Sequence, residues 1–361
     1  MGFSPVSNCK ARETNFGELM HILRAVKPED LKHLYDLSQI MTFINLPPDE
    51  DIIQSKIESS HKSFTNPSKN LWENYYIFVL EDLMSKKILG VSMIHAQHGT
   101  EDEPHFFLTV GQEAKFSQTI NTGFVHGTLR LGMDTDGPTE IGGLILNPEF
   151  RGHPEKLGKQ LSFCRFLYMA DHQERFKKMI HSELMPPYDR FGNSPLWEAI
   201  GRRFLNMNYH EADVLSRNNK EFILSLFPSE NIYQTLLPME ARESIGKVGK
   251  ETEPVRRMLE SIGFKYMNEV DPFDGGPHYR CALSNIKPVQ QKINGQLVAN
   301  KEFIESEAKE VIISLDMPNH DFFGFRTKLM VHGDGQVSID PKILKTLSLE
   351  LPQKISAIPF S

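Results

Sequence analysis

The stretch best suited to chemistry is the polar loop Arg151–Gly158, which holds Gly152, Pro154 and Gly158 and leads into a helical run from Lys159 to Phe176. A glycine-bearing loop between a strand and a helix presents unpaired backbone N–H groups at the positive end of the helix dipole, a site for phosphate oxygens. Arg151, His153, Lys156 and Lys159 add positive charge around it. The plain alternative is a helix start on a solvated surface, and the spacing matches neither the dinucleotide fingerprint nor the Walker A pattern. Immediately upstream, Glu140–Leu146 reads as a short strand with paired glycines, Gly142 and Gly143, so a ligand arm can come close to its backbone.

Other reactive groups are less well placed. Cys164 falls at an apolar helix position and Cys281 in a strand, and neither has an activating base near it in sequence. With Cys9 they make three widely spaced cysteines, which suits a reducing, cytoplasmic compartment rather than a disulfide framework. The 14 histidines show no ligand-like pairing. His95 and His98 stand three apart at a strand end, where that interval carries no ligand geometry, so no metal is expected. A net charge of −7 argues against nucleic-acid binding. No run of about 18 apolar residues is present to span a membrane. The N-terminus lacks the features of a secretory signal, and Val6 stands where a myristoylation start wants Ser or Thr. Residues 1–20 are polar and expected to fray.

The elements that must position these groups are legible from periodicity. Strands are expected at His21–Val26, Tyr75–Leu80 and Ile88–His95, with Phe106–Val110 and Thr128–Met133 extending the sheet. Helices are expected near Asp30–Ser38 and after Pro47–Pro48. The order strand Glu140–Leu146, loop, helix, strand Met179–Leu184 is a βαβ unit, which requires parallel strands and a right-handed crossover. Residues 186–250 read as largely helical. Glu253–Ile262 reads as a helix capped by Thr252 and stopped by Gly263, followed by strands at Phe264–Val270 and Tyr279–Leu283. From about Ile286 short strands and turns suggest a small β-rich C-terminal domain.

Over roughly residues 20–285 the chain resembles the arginine N-succinyltransferase family. The resemblance rests on Tyr76-Ile-Phe-Val-Leu-Glu-Asp82, Glu140 with Leu144-Ile-Leu146, Arg165-Phe-Leu-Tyr-Met-Ala170, Asp189-Arg-Phe-Gly-Asn-Ser-Pro-Leu-Trp197 and Phe273-Asp-Gly-Gly-Pro277. It implies an α/β fold of the GCN5-related N-acetyltransferase type: a mixed sheet with flanking helices, a helical insertion over about 186–250 and the small C-terminal domain over 286–361. It also implies transfer of an acyl group from succinyl-coenzyme A, or another acyl-coenzyme A, to an amine such as arginine. The co-substrate would meet Leu144, Ile145, Leu146, Arg151, His153, Gly158 and Lys159, with no permanently bound cofactor. Partners would be small molecules; self-association is left open.

The chain departs from the family at several points. The family's proton-donor histidine falls on Gly249, which cannot move a proton, a Cys-Thr pair is Gly142-Gly143, and a Tyr-Arg pair is Leu108-Thr109. Proton handling must then fall to other groups or a water chain, and general acid–base help is worth typically 10²–10⁴-fold; the alternatives are a related acyltransferase with a different amine acceptor or a non-catalytic coenzyme A-binding homologue. Glu140 is the first candidate, because superfamily members often draw their base from this strand; the alternative is a carboxylate that ends the strand or pairs with a basic neighbour. Glu183, sharing a strand face with His181, could serve as base or bind a guanidinium, or form a structural ion pair. Tyr188 could protonate a thiolate or simply pack. Asp274 is expected to hold an Asx-type turn.

Overall fold

The computed structural model describes residues 19–40, 45–216 and 220–360; Cys9, Val6 and most of the expected frayed terminus lie outside them. The strands are β1 (His21–Ala25), β2 (Tyr75–Asp82), β3 (Ile88–His95), β4 (His105–Ser117), β5 (Thr122–Asp134), β6 (Thr139–Leu146), β7 (Met179–Glu183) and β8 (Ile232–Tyr233). They continue as β9 (Lys265–Val270), β10 (Pro277–Ala282), β11 (Ile293–Leu297), β12 (Lys309–Leu315), β13 (Phe323–Val331), β14 (Gln336–Ser338) and β15 (Gln353–Pro359). The fold is the expected mixed α/β sheet, with strand order β12-β15-β11-β14-β13-β1-β2-β3-β6-β7-β10-β9-β4-β5-β8.

Two helices, α1 (Leu31–Ile40) and α2 (Glu50–Thr65), cover one face of the sheet. Asp49 caps α2 by accepting the Ile52 amide, and Ile53 and Ile57 pack with Ile77, Val79, Val91, Met93 and Ile145. The other face is covered by α3 (Leu157–Asp171). This helix is buried almost all round because the sheet lies on one side and the C-terminal strands close over the other. It joins β6 to β7, which run parallel with Thr139 opposite Ile180 and Glu140 opposite His181. The expected βαβ unit is therefore present.

The C-terminal strands form a ring, since β12 pairs with both β15 and β13. Its β13 also pairs with β1, Leu23 lying opposite Gly324. Residues 186–250 carry the short helices α4 (Pro195–Ala199), α5 (Gly201–Leu205), α6 (Tyr209–Ser216), α7 (Glu221–Leu226) and α8 (Met239–Ser244), built around Leu196, Trp197 and Ile223.

Two local expectations differ. Strands β4 and β5 run 13 residues each as one hairpin, far beyond the apolar stretches at their base, because the ladder continues to Ser117 opposite Thr122 through exposed residues. Helix α9 (Glu253–Ser261) does start after Thr252, but the Thr252 side chain makes no capping bond; the amides of Thr252 and Glu253 both donate to the Gly249 carbonyl instead. No helix among the described residues is long and apolar enough to cross a membrane.

Candidate active site

The parallel ladder between β6 and β7 stops at Glu140 opposite His181, although β6 runs on to Leu146 and β7 to Glu183. The strands therefore part beside the candidate residues Glu140 and Glu183. On its other edge β6 stays paired with β3, with a register shift between Val91 opposite Ile145 and Met93 opposite Gly142. This irregularity is where the paired glycines sit, and Gly143 has φ +52°. A Cβ at Gly143 would stand 2.4 Å from the Met93 sulfur, so the missing side chain makes room for Met93 rather than only for a ligand. A Cβ at Gly142 would come within 3.1 Å of the Glu140 carboxylate.

Arg165 of α3 holds this irregular stretch. Its guanidinium is buried and donates to the carbonyls of Gly142 at 3.1 Å and Met93 at 3.4 Å and to Ser162 Oγ at 2.9 Å. Burial pulls its pKa down to about 10. Sequence reading treats Arg165 as one more member of the helix, and only the structure gives it this task.

Glu140 accepts a very short hydrogen bond from Nδ1 of His98, on the loop after β3. Burial disfavours the charge on His98, yet the Glu140 charge and hydrogen bond outweigh it and hold the imidazole above its ordinary range. Burial would raise Glu140 likewise, and the His98 charge instead keeps it low. The two form an ion pair. Neighbouring His95 donates Nε2–H to the Trp72 carbonyl at 2.8 Å, and burial pulls it down to about 4, so it is neutral. The interval that carries no ligand geometry in a strand thus brings His95, His98 and Glu140 together, their donor atoms within 4.8 Å, because the chain turns out of β3 after His95.

Glu183 does not stand free. His181 Nε2 lies 3.3 Å from its Oε1, with His278 Nε2 at 3.6 Å and His105 Nδ1 at 3.7 Å. Burial works against its charge, and these imidazoles hold its pKa well below the usual carboxylate range. Tyr188 donates its hydroxyl to Asp274 at 2.8 Å and touches Tyr209. Burial and the Asp274 charge push its pKa up, so it stays a phenol whose proton is already engaged. Asp274 accepts the Gly276 amide at 2.7 Å, the expected Asx turn. Cys164 is buried and donates to the Leu161 carbonyl, its thiol pushed up to about 12.

The loop residues do not converge on one point. Leu144 is half-buried beside the parted strands, Ile145 is buried, and Leu146 lies 3.9 Å from where a Gly158 Cβ would be. Gly158 is in the first turn of α3, whose Lys159 and Gln160 amides return to the Lys156 carbonyl. Arg151 pairs with Glu251 at 2.9 Å, bridging the loop to the segment before α9. His153 packs edge-on against His21. Lys159 turns the other way, donating to the Phe360 carbonyl at 3.2 Å and lying over the Phe163 and Phe360 rings. Gly249 donates its amide to the Met185 carbonyl at 2.9 Å, just past the end of β7.

The family model described as Arginine N-succinyltransferase beta subunit matches residues 21–288. The chain is 34% identical over 275 residues to an arginine N-succinyltransferase of Citrobacter koseri, covering 75% of this chain and 79% of the relative. The chain belongs to the arginine N-succinyltransferase family. An Escherichia coli member is 33% identical over the same length. The arginine/ornithine succinyltransferase subunit AI of Pseudomonas aeruginosa superposes with a TM-score of 0.80 at 25% identity, over 95% of this chain and 100% of that one. As a member of the arginine N-succinyltransferase family this protein is an N-acyltransferase with an acyl-coenzyme A as co-substrate. His105 and His278 escaped the sequence reading, and His98 and Arg165 were named there without these contacts: they come from separate elements, and no short spacing joins them.

Proposed function

We propose that the protein transfers the succinyl group of succinyl-coenzyme A to the α-amine of arginine. The neutral amine nitrogen bonds to the thioester carbon and gives up one proton to solvent, the C–S bond breaks, and the thiolate takes a proton to leave as coenzyme A. The observation carrying this reading is the end of the β6–β7 ladder at Glu140, whose carboxylate holds the His98 imidazole above its ordinary range. His98 then supplies the proton that Gly249 cannot, and Glu140 sets its charge and direction. Tyr188 is a weaker donor, because Asp274 already holds its proton. Glu183, engaged by three imidazoles, contributes charge rather than a free base.

The acyl-coenzyme A arm lies along Leu144, Ile145 and Leu146, with its diphosphate toward Gly158 and Arg151. His153 and Lys159 face His21 and Phe360, which argues against direct contacts from them. Family membership supports the succinyl donor and the arginine acceptor. The test is coenzyme A release by purified protein with succinyl- and acetyl-coenzyme A, each paired with arginine and ornithine. Release with succinyl-coenzyme A and arginine supports the proposal; no release with any pair removes it. A second reading keeps the donor and changes the acceptor. Leu108, standing where the family has Tyr, is fully buried in the sheet core and offers an acceptor nothing polar. Faster turnover with another amine than with arginine would select that reading.

A further inference from the structure

We infer that His105, His181, Glu183 and His278 form a closed binding site for one divalent transition-metal ion, zinc being the natural occupant for such a donor set. The four residues come from β4, β7 and β10, and one donor atom from each lies within 4.8 Å of all the others. The Glu183 oxygen is 3.3, 3.6 and 3.7 Å from ring nitrogens of His181, His278 and His105. Around a tetrahedral ion with bonds of about 2.0–2.1 Å the donors sit about 3.3–3.4 Å apart. The three Glu183–histidine separations lie within a few tenths of an ångström of that spacing.

Three further observations point the same way. His278 is fully buried, and neither of its ring nitrogens has a hydrogen-bond partner; the buried His105 Nε2 also has none. One nitrogen of every neutral imidazole must carry a proton, so a buried ring with no partner is costly unless it is ligated. Glu183 meets only imidazoles among its ion pairs, with no Lys or Arg among the described residues to balance it. Finally, Glu269 lies 3.8 Å from His278 Nδ1, on the ring side away from Glu183, where a ligating histidine keeps a carboxylate partner. One contact has to yield: Arg280 Nε stands 3.3 Å from His181 Nδ1, which would then carry the proton. Arg280 remains held by Asp134 and Glu269, each at 2.9 Å. The nearby His95, His98 and Glu140 make a useful contrast, since their donors are already engaged with Trp72 and with one another.

Four protein donors leave no open position, so the ion is structural: it ties three strands together beside the opening and removes Glu183 from proton transfer. The test uses full-length protein stripped with a chelator and titrated with zinc by calorimetry, with metal-edge absorption on the loaded protein. We expect one equivalent bound, a shell of three imidazoles and one carboxylate oxygen, and a raised Tm on loading. His278→Ala and, separately, His105→Phe should each weaken binding by about 100-fold or more, while His98→Gln leaves the stoichiometry at one. No zinc uptake by folded wild-type protein, a shell with fewer imidazoles, or uptake lost only in His98→Gln would overturn the assignment. Because absorption is read on wild-type protein, the result stands even if a variant fails to fold. Metal content is measured without substrate, so it succeeds or fails independently of acyl transfer.

Discussion

At the scale of single residues, the charge state of His98 decides how proton transfer responds to pH. Glu140 holds the imidazole above its ordinary range, so His98 as proton donor keeps its proton to a higher pH than an ordinary imidazole would. Glu140→Gln removes both the charge and the charge-assisted bond. The falling limb of log kcat against pH should then move to lower pH, and the rate at neutral pH should drop by about 10²–10⁴-fold, as a stopped or continuous thiol assay would record. A limb that stays in place would clear His98 of the donor role. Gly249→His makes a second prediction. A Cβ there lies 2.9 Å from the Pro186 carbonyl oxygen, a backbone atom that cannot swing away. The variant should melt several degrees lower and gain no turnover, a loss of about 1–3 kcal/mol from overpacking. Much of this site was out of reach of the sequence. The strand positions of Glu140, before the glycine-bearing loop, and Glu183, after the helix, were legible from apolar periodicity. His98 was not, since its value comes from a loop conformation that folds it back onto Glu140.

At the scale of elements, β6 is kept out of regular register by α3. Its strand character, the loop and the helix could all be read from apolar periodicity and punctuation by Asn147-Pro148. The irregular pairing could not, because it depends on a guanidinium reaching from the helix to carbonyls of Gly142 and Met93. Arg165→Met keeps the length and loses these bonds. Leaving a buried carbonyl unsatisfied costs about 1–3 kcal/mol, partly offset because a buried, unneutralised cation is also removed. The expected outcome is a modest fall in Tm with a much larger rise in KM for the acyl-coenzyme A. A fall in stability with unchanged KM would show that Arg165 serves packing alone. The hairpin of β4 and β5 illustrates the opposite limit: its outer half carries Phe116, Ile120, Phe124 and Val125 exposed, so burial periodicity had nothing to report there.

Across the whole molecule, the C-terminal ring is anchored to α3 through Phe360. Phe360 is 1% exposed, packs on Phe163 at 5.5 Å, and donates its amide to the Glu310 carbonyl, while its own carbonyl receives Lys159. Phe360→Ala should lower the unfolding free energy by about 3–5 kcal/mol in denaturant titration. The β-rich character of this region was readable from its turns. That it closes on itself and lies over α3 was not, because only the tertiary pairing of β13 with β1 brings it there.

Two residue pairs, Thr139 with Ile180 and Glu140 with His181, are the whole backbone ladder between β6 and β7, and so between the two arms of the sheet. With a seam so short, the arms are held together mainly by side chains, Ile180 and Tyr279 of one arm sharing a core with Leu23 and Phe78 of the other. Amide hydrogens of Ile141–Leu146 should exchange with solvent faster than those of β2 or β3, and slow down when a donor molecule wedges into the gap and takes over the stitching.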